Sequence, residues 1–192
     1  MLLDLLMKAR SYRNFDPAVR YTADDMAQLI NLCRFAPSSV NRQPIRFAYA
    51  VKKEDCARIF PHLGWAAMIK ENKPPIPGNE PAAYILLCYD TNLTPNSPDA
   101  DIGIYAQTIV LGAMEKGIGA CMIGSINKPA LAEIFALPPH IAPRLVIALG
   151  APNEKIVLTE AKNGETKYYR DSENTHYVPK LPLAEILLPE IK

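Results

Sequence analysis

The chain has 192 residues, 49% hydrophobic and 21% charged, with 21 Lys+Arg against 20 Asp+Glu for a formal net charge of +1. A chain this long buries about 70% of its unfolded surface and needs no disulfide or metal staple. Balanced charge excludes a strongly basic nucleic-acid footprint, and the apolar and aromatic content excludes disorder. The longest apolar run, Ala82–Tyr89, is far shorter than the ~20 residues of a membrane-spanning helix. Leu2, Leu3, Leu5 and Leu6 precede Lys8 and Arg10 and are interrupted by Asp4, the reverse of signal-peptide order. The expectation is a cytoplasmic protein of one domain, with neither a membrane nor a nucleic acid as partner. Cys33, Cys56, Cys88 and Cys121 form no C-x-x-C and read as reduced core cysteines.

In chain order, Met1–Ala9 reads as a short helix. Thr22 is an N-cap, with Asp24 and Asp25 in the first turn where the helix dipole favours negative charge. Met26, Leu29, Ile30 and Cys33 then follow a helical stripe that stops before Pro37. Arg46–Val51 reads as a strand and Glu54–Leu63 as a short helix. A proline-rich stretch follows, Pro74 to Pro81, in a chain with 18 prolines and 9 glycines; it predicts a stiff loop. Ala82–Tyr89 is continuously apolar, a buried strand. Asp101–Lys116 is the longest predicted helix and is apolar on more than one side, so it packs centrally or at a subunit contact. Gly117 is its C-cap. Ala120–Gly124 is a strand, Asn127 caps a helix through Phe135, and Arg144–Leu149 is another strand. Ala151–Lys180 reads as polar and irregular, with a last short helix over Leu183–Leu188. Helices and strands mix without a strict βαβ rhythm, which predicts an α+β fold.

The common catalytic motifs are missing. His62, His140 and His176 share no metal-ligand spacing and read as surface or capping residues. There is no G-x-S-x-G, P-loop or G-x-G-x-x-G. Two polar clusters remain. In Lys8-Ala9-Arg10-Ser11-Tyr12-Arg13-Asn14-Phe15, two arginines flank a serine at a helix end, a phosphate-binding pattern or a basic end complementing the dipole. Ala36-Pro37-Ser38-Ser39-Val40-Asn41-Arg42-Gln43-Pro44 is rich in neutral donors and acceptors. It suits the edge of a heterocycle, or is a structured turn.

Together these segments resemble the nitroreductase family of FMN-dependent oxidoreductases: R-S-x-R-x-F from Arg10, then A-P-S-S-x-N-x-Q-P from Ala36. The resemblance continues in D-x-G-x-x-x-Q at Asp101, Gly103 and Gln107, in G-I-G-A-C-M-I-G at Gly117–Gly124, and in L-V-I-A-L-G-A-P at Leu145–Pro152. It ends in Tyr168-Tyr169-Arg170-Asp171 and His176-Tyr177-Val178-Pro179-Lys180, so it spans the chain in order.

The resemblance implies a central, mostly antiparallel sheet flanked by helices, in an intertwined homodimer. FMN sits at the interface, and the C-terminal tail, about 151–192, wraps or caps the dimer. Arg10 and Ser11 would lie by the FMN phosphate and ribityl chain. Arg13 would reach the pyrimidine end, where a preorganised cation stabilises charge developing on the reduced ring. Pro37, Ser38, Ser39 and Asn41, with Gln43 beside them, would come from the partner chain. Met122, Ile123 and Gly124 would line the ring with backbone N–H groups near its reactive edge, and Lys180 would meet the phosphate. Trp65, Asn72 and the Pro74–Pro81 loop are candidates for a pocket wall, Trp65 equally for plain packing. Ala9, Ile45 and Leu181 depart from the family pattern, which shifts phosphate anchoring onto Arg10 and Lys180 and implies a weaker hold on FMN.

The implied activity is ping-pong transfer of a hydride from NADH or NADPH, through FMN, to a nitroaromatic, quinone or similar small acceptor. The cofactor carries the chemistry, which agrees with the missing triad. Another reaction on the same fold, such as dehydrogenation, dehalogenation or flavin cleavage, and a non-catalytic flavin-binding protein are the alternatives.

Overall fold

The computed structural model describes residues 1–69 and 73–190; Asn72 lies outside the described residues. Four strands form the central sheet: β1 (Ile45–Ala50), β2 (Ala83–Asp90), β3 (Gly119–Ile123) and β4 (Ile141–Gly150). Their order is β1-β2-β4-β3, every pair antiparallel. Buried on both faces, β2 needs its continuous apolar run. Ala83, Ile85 and Leu87 face one core layer, and Tyr84, Leu86 and Cys88 face the other. The register shifts between Leu87 and Cys88, where Pro143 on β4 has no N–H for the ladder.

Helices α1 (Leu2–Lys8), α2 (Ala23–Leu32), α3 (Lys53–Ile59), α4 (Asp99–Glu115) and α5 (Lys128–Ile134) surround the sheet. The side chains of α2 and α4 fill the first layer, and those of α3 and α5 the second. Thr22 caps α2 as expected: its hydroxyl accepts from the Asp25 N–H, and the Asp25 carboxylate accepts from the Thr22 N–H at 2.7 Å. Gly117, at φ +75°, closes α4, and the Ile118 N–H reaches back to the Ala113 carbonyl. On α4, Ile102, Tyr105, Ala106, Ile109 and Ala113 are buried in this chain's own core. Its other side, Ile104, Thr108 and Leu111, lines an apolar groove with Phe35 and Pro37. The broad apolar character of α4 therefore serves two faces.

The tail corrects the sequence reading. Residues expected to be irregular form a second sheet of β5 (Ile156–Glu160), β6 (Tyr169–Arg170) and β7 (His176–Lys180), in the order β5-β7-β6. β5 and β7 pair in parallel across some twenty residues, β6 has two residues, and β5 is only half-buried, so no clear period-2 pattern marks them. The final helix is the single turn α6 (Leu183–Ile186).

Two glycines let the N-terminal segment cross the sheet edge. Gly119 and Gly150 are paired across β3 and β4. A Cβ on Gly119 would meet the Tyr12 ring at 3.0 Å, and one on Gly150 would meet Phe15 at 2.5 Å. Phe15 is fully buried, so it has nowhere to move. Gly150→Ala is expected to cost about 1–3 kcal/mol by overpacking. Urea unfolding measures this, and a loss below about 0.5 kcal/mol would contradict the packing described.

Candidate active site

The segment after α1 runs alongside β3. Ser11 bridges Ala120 in parallel, and the Tyr12 N–H donates to the Ala120 carbonyl at 3.0 Å. Arg10 donates through one terminal nitrogen to the Leu6 carbonyl, capping α1 as a basic helix end does. Its Nε is buried without a partner. Arg10, Ser11, Gln107 and Met122 line a cavity of about 210 Å³ with Ala9, Val110 and Ala120. Three sequence-predicted residues thus meet, joined by Gln107, which the D-x-G-x-x-x-Q pattern contained but which carried no role.

Arg13 points toward the tail. Its guanidinium lies 5.2 Å from the Tyr168 ring centroid, donates to the Ser11 carbonyl at 3.3 Å, and lies 3.4 Å from His176 Nε2. Beneath it, the Glu154 carboxylate accepts from the Arg13 N–H and, at 3.0 Å, from the Asn14 N–H. Its other oxygen pairs with Arg170, and the two side chains are only 2% and 6% exposed. Arg170 also donates to Asn174 Oδ1 at 2.8 Å. Among the described residues no carboxylate forms an ion pair with Arg13.

His176 is not a surface residue: it is 2% exposed and packs edge-on against Tyr168. Burial, then the positive charges of Arg13 and Arg170, push its pKa from 6.5 down to about 4, with Glu154 opposing. The folded value lies below the unfolded one, so the unfolded chain takes up this proton first as pH falls. Stability from the neutral imidazole is complete above about pH 6.5 and is lost as pH falls toward 4. His176→Gln is expected to flatten the pH dependence of unfolding in that window, and an unchanged slope would contradict this. Cys121, on β3 near Arg13, is pushed up to about 11 chiefly by burial, so this thiol stays protonated at neutral pH. All four cysteines are free and buried.

The second cluster lies apart. Ser39–Asn41 form a 3₁₀ turn in which Val40 and Asn41 have φ of 48° and 53°, and Gln43 follows at 50°. Val40 is β-branched and 81% exposed, so this is local strain held by its surroundings. The braces are the Ser39 N–H donating to Asp101 Oδ1 at 3.0 Å and the Gln43 N–H donating to Ser38 Oγ at 3.0 Å. Gln43 also donates to Asn41 Oδ1. Pro37, Ser39 and Gln43 each line a cavity other than the one at Arg10.

On β3 the side chains alternate: Met122 is 37% exposed, whereas Ile123 is buried in the second core layer. The pleat turns the Ile123 side chain inward, so any part it takes in a ligand site is through its backbone. Gly124 is exposed just beyond the strand. Lys180, exposed at the end of β7, does not line the Arg10 cavity. Trp65 is buried and packs with its ring tilted against Phe60. The 74–81 loop is tied to the N-terminal segment, with the Ile76 N–H donating to Asn14 Oδ1 at 2.8 Å. Sequence reasoning missed Glu154, about 140 residues from Arg13, for which no local spacing was a signal; Tyr168 and Arg170 stood in the Tyr168–Asp171 motif but carried no role. Among the described residues no His/Cys/Asp/Glu group forms a metal site, and no helix is long and apolar enough to cross a membrane.

An antiparallel sheet between helix layers, with Arg10 and Ser11 running beside its edge strand, defines an α+β fold. The model of the nitroreductase family matches residues 6–151, and the chain belongs to that family. The Bacillus subtilis (strain 168) protein YdgI, assigned as an NAD(P)H nitroreductase, is 36% identical over 163 residues, 84% of this chain and 70% of that one. A Cr(VI) reductase of Pseudomonas sp. (strain G-1) is 32% identical over 90 residues, 46% of this chain and only 29% of that protein. A Desulfovibrio desulfuricans protein assigned as a nitroreductase, solved in complex with FMN, superposes with a TM-score of 0.70 at 24% identity, covering 100% of this chain and 97% of that one.

Proposed function

We propose that this oxidoreductase is a homodimeric, FMN-dependent enzyme that draws on NADH or NADPH and reduces a small acceptor such as a nitroaromatic or quinone. The observation that carries the reading is the cavity of Arg10, Ser11, Gln107 and Met122, with Arg13 continuing the same segment as a cation that no carboxylate among the described residues pairs with. The residues fit FMN: the Arg10 Nε is a buried donor without a partner, suited to a phosphate. Bound FMN would supply the redox chemistry, with donor and acceptor taking turns in two half-reactions.

The chain's own residues bind and orient. Arg10 and Ser11 hold the phosphate and ribityl end, with Lys180 from the tail. Arg13 places a positive charge at the pyrimidine edge. Met122 forms the wall, and the backbone at Ile123 and Gly124 offers N–H groups. Pro37, Ser38, Ser39, Asn41 and Gln43 come from the partner chain; within one chain none of them lines the Arg10 cavity. Leu2, Leu3 and Met7 on α1, with Phe35 and Ile104, are exposed apolar side chains of the kind a second copy covers. The names of the B. subtilis and D. desulfuricans relatives support the donor and the flavin.

Fluorimetric titration tests the cofactor. It is expected to show one FMN per chain, held more weakly than in relatives with the full basic set, because Ala9 and Leu181 supply no phosphate contact. No binding would refute the function, and sub-nanomolar affinity would refute the weakened anchoring.

A further inference from the structure

The surroundings of Arg13 are unusual in one respect: among the described residues, the groups that touch its guanidinium are neutral. The Ser11 carbonyl accepts from it at 3.3 Å, and His176 Nε2 lies 3.4 Å away. The Tyr168 ring lies beneath it at 5.2 Å. The nearby Glu154 carboxylate is already taken by the backbone N–H groups of Arg13 and Asn14 and by Arg170. The cluster of Arg13, Arg170 and Glu154 therefore keeps one positive charge unbalanced, at Arg13. His176 is buried with Nδ1 lacking a partner, an arrangement that packing alone does not favour.

We propose that His176 is a positioning residue: as a neutral acceptor it fixes the direction of the Arg13 guanidinium without neutralising it, and so preserves the charge that favours reduced over oxidised FMN. This rests on the reading that FMN binds beside Arg13. A carboxylate at the same place would hold the guanidinium equally well but cancel its charge. An apolar side chain would leave the charge and lose the direction. A neutral imidazole does neither. His176 reaches this place because the short β7 pairs with β5, and its own N–H is tied to the Lys155 carbonyl at 2.8 Å.

The test is the midpoint potential of FMN bound to the full-length protein, with His176→Gln, His176→Phe and His176→Glu compared to wild type. His176→Gln keeps a neutral acceptor and is expected to leave the ratio of affinities for reduced and oxidised FMN within twofold. His176→Glu is expected to lower that ratio about tenfold, or about 30 mV for a two-electron couple. His176→Phe is expected to lower it about threefold. If the Glu variant does not fold, the Gln and Phe pair decides. Thermal unfolding without FMN, run alongside, separates packing losses from the potential. FMN binding with the same potential in every variant, or an equal shift in all, overturns the positioning role alone. A wild-type protein that takes up no FMN overturns the function and this role together.

Discussion

Arg13→Ala is expected to slow reduction of the bound flavin at saturating NADH or NADPH by about 10²-fold, the usual loss when one preorganised charge is removed from a developing anion. FMN should remain bound, because Arg10, Ser11 and Gln107 belong to a cavity that Arg13 does not line. Stopped-flow absorbance at several donor concentrations separates the limiting rate from donor affinity. An unchanged limiting rate would remove Arg13 from the mechanism. A loss of FMN binding instead would move it to the anchoring set. Arg13→Lys keeps the charge but not the planar fork that meets the Ser11 carbonyl and His176 together. Its expected rate lies between the other two.

Glu154→Gln is expected to destabilise the chain by about 3–5 kcal/mol. The amide still offers an oxygen to the backbone N–H groups of Arg13 and Asn14, but Arg170 is left as a buried, uncompensated cation. For a chain of this size that is a fall in Tm of roughly 6–20 °C. The same change leaves Arg170 without its partner inside the tail, so protease cleavage after β4 should accelerate. A loss under 1 kcal/mol would place the Glu154–Arg170 pair with solvated surface ion pairs and contradict its role as the joint between tail and site.

The central sheet was legible because its signals are local. The apolar run of β2, the Thr22 cap and Gly117 after α4 each point to their elements within a few residues. Element bounds moved by a few residues: α3 ends at Ile59 rather than Leu63, passing into a 3₁₀ turn, and β4 starts at Ile141 rather than Arg144 because Pro143 sits at a bulge instead of ending the strand. The tail was not legible: the parallel β5–β7 pairing joins distant residues, and half-buried edges show no period.

The site divides the same way. The Arg10–Ser11–Met122 cavity followed from ordered motifs. Arg13 was picked out, but the residues that hold it were not, since Glu154, Tyr168, Arg170 and His176 reach it only through the fold of the tail. His176 was read as a surface or capping residue because a lone histidine between polar neighbours carries no sign of burial. The motif marks the strand of Met122 and Ile123 and not its pleat, which leaves Met122 exposed and the Ile123 side chain buried.

Anaerobic mixing of the purified, FMN-loaded protein with NADH and, separately, NADPH tests the account most directly. At least one donor is expected to bleach the flavin absorbance fully, with the colour restored by a quinone or nitroaromatic acceptor. A bound flavin that neither donor bleaches would contradict the assignment as an NAD(P)H-dependent reductase.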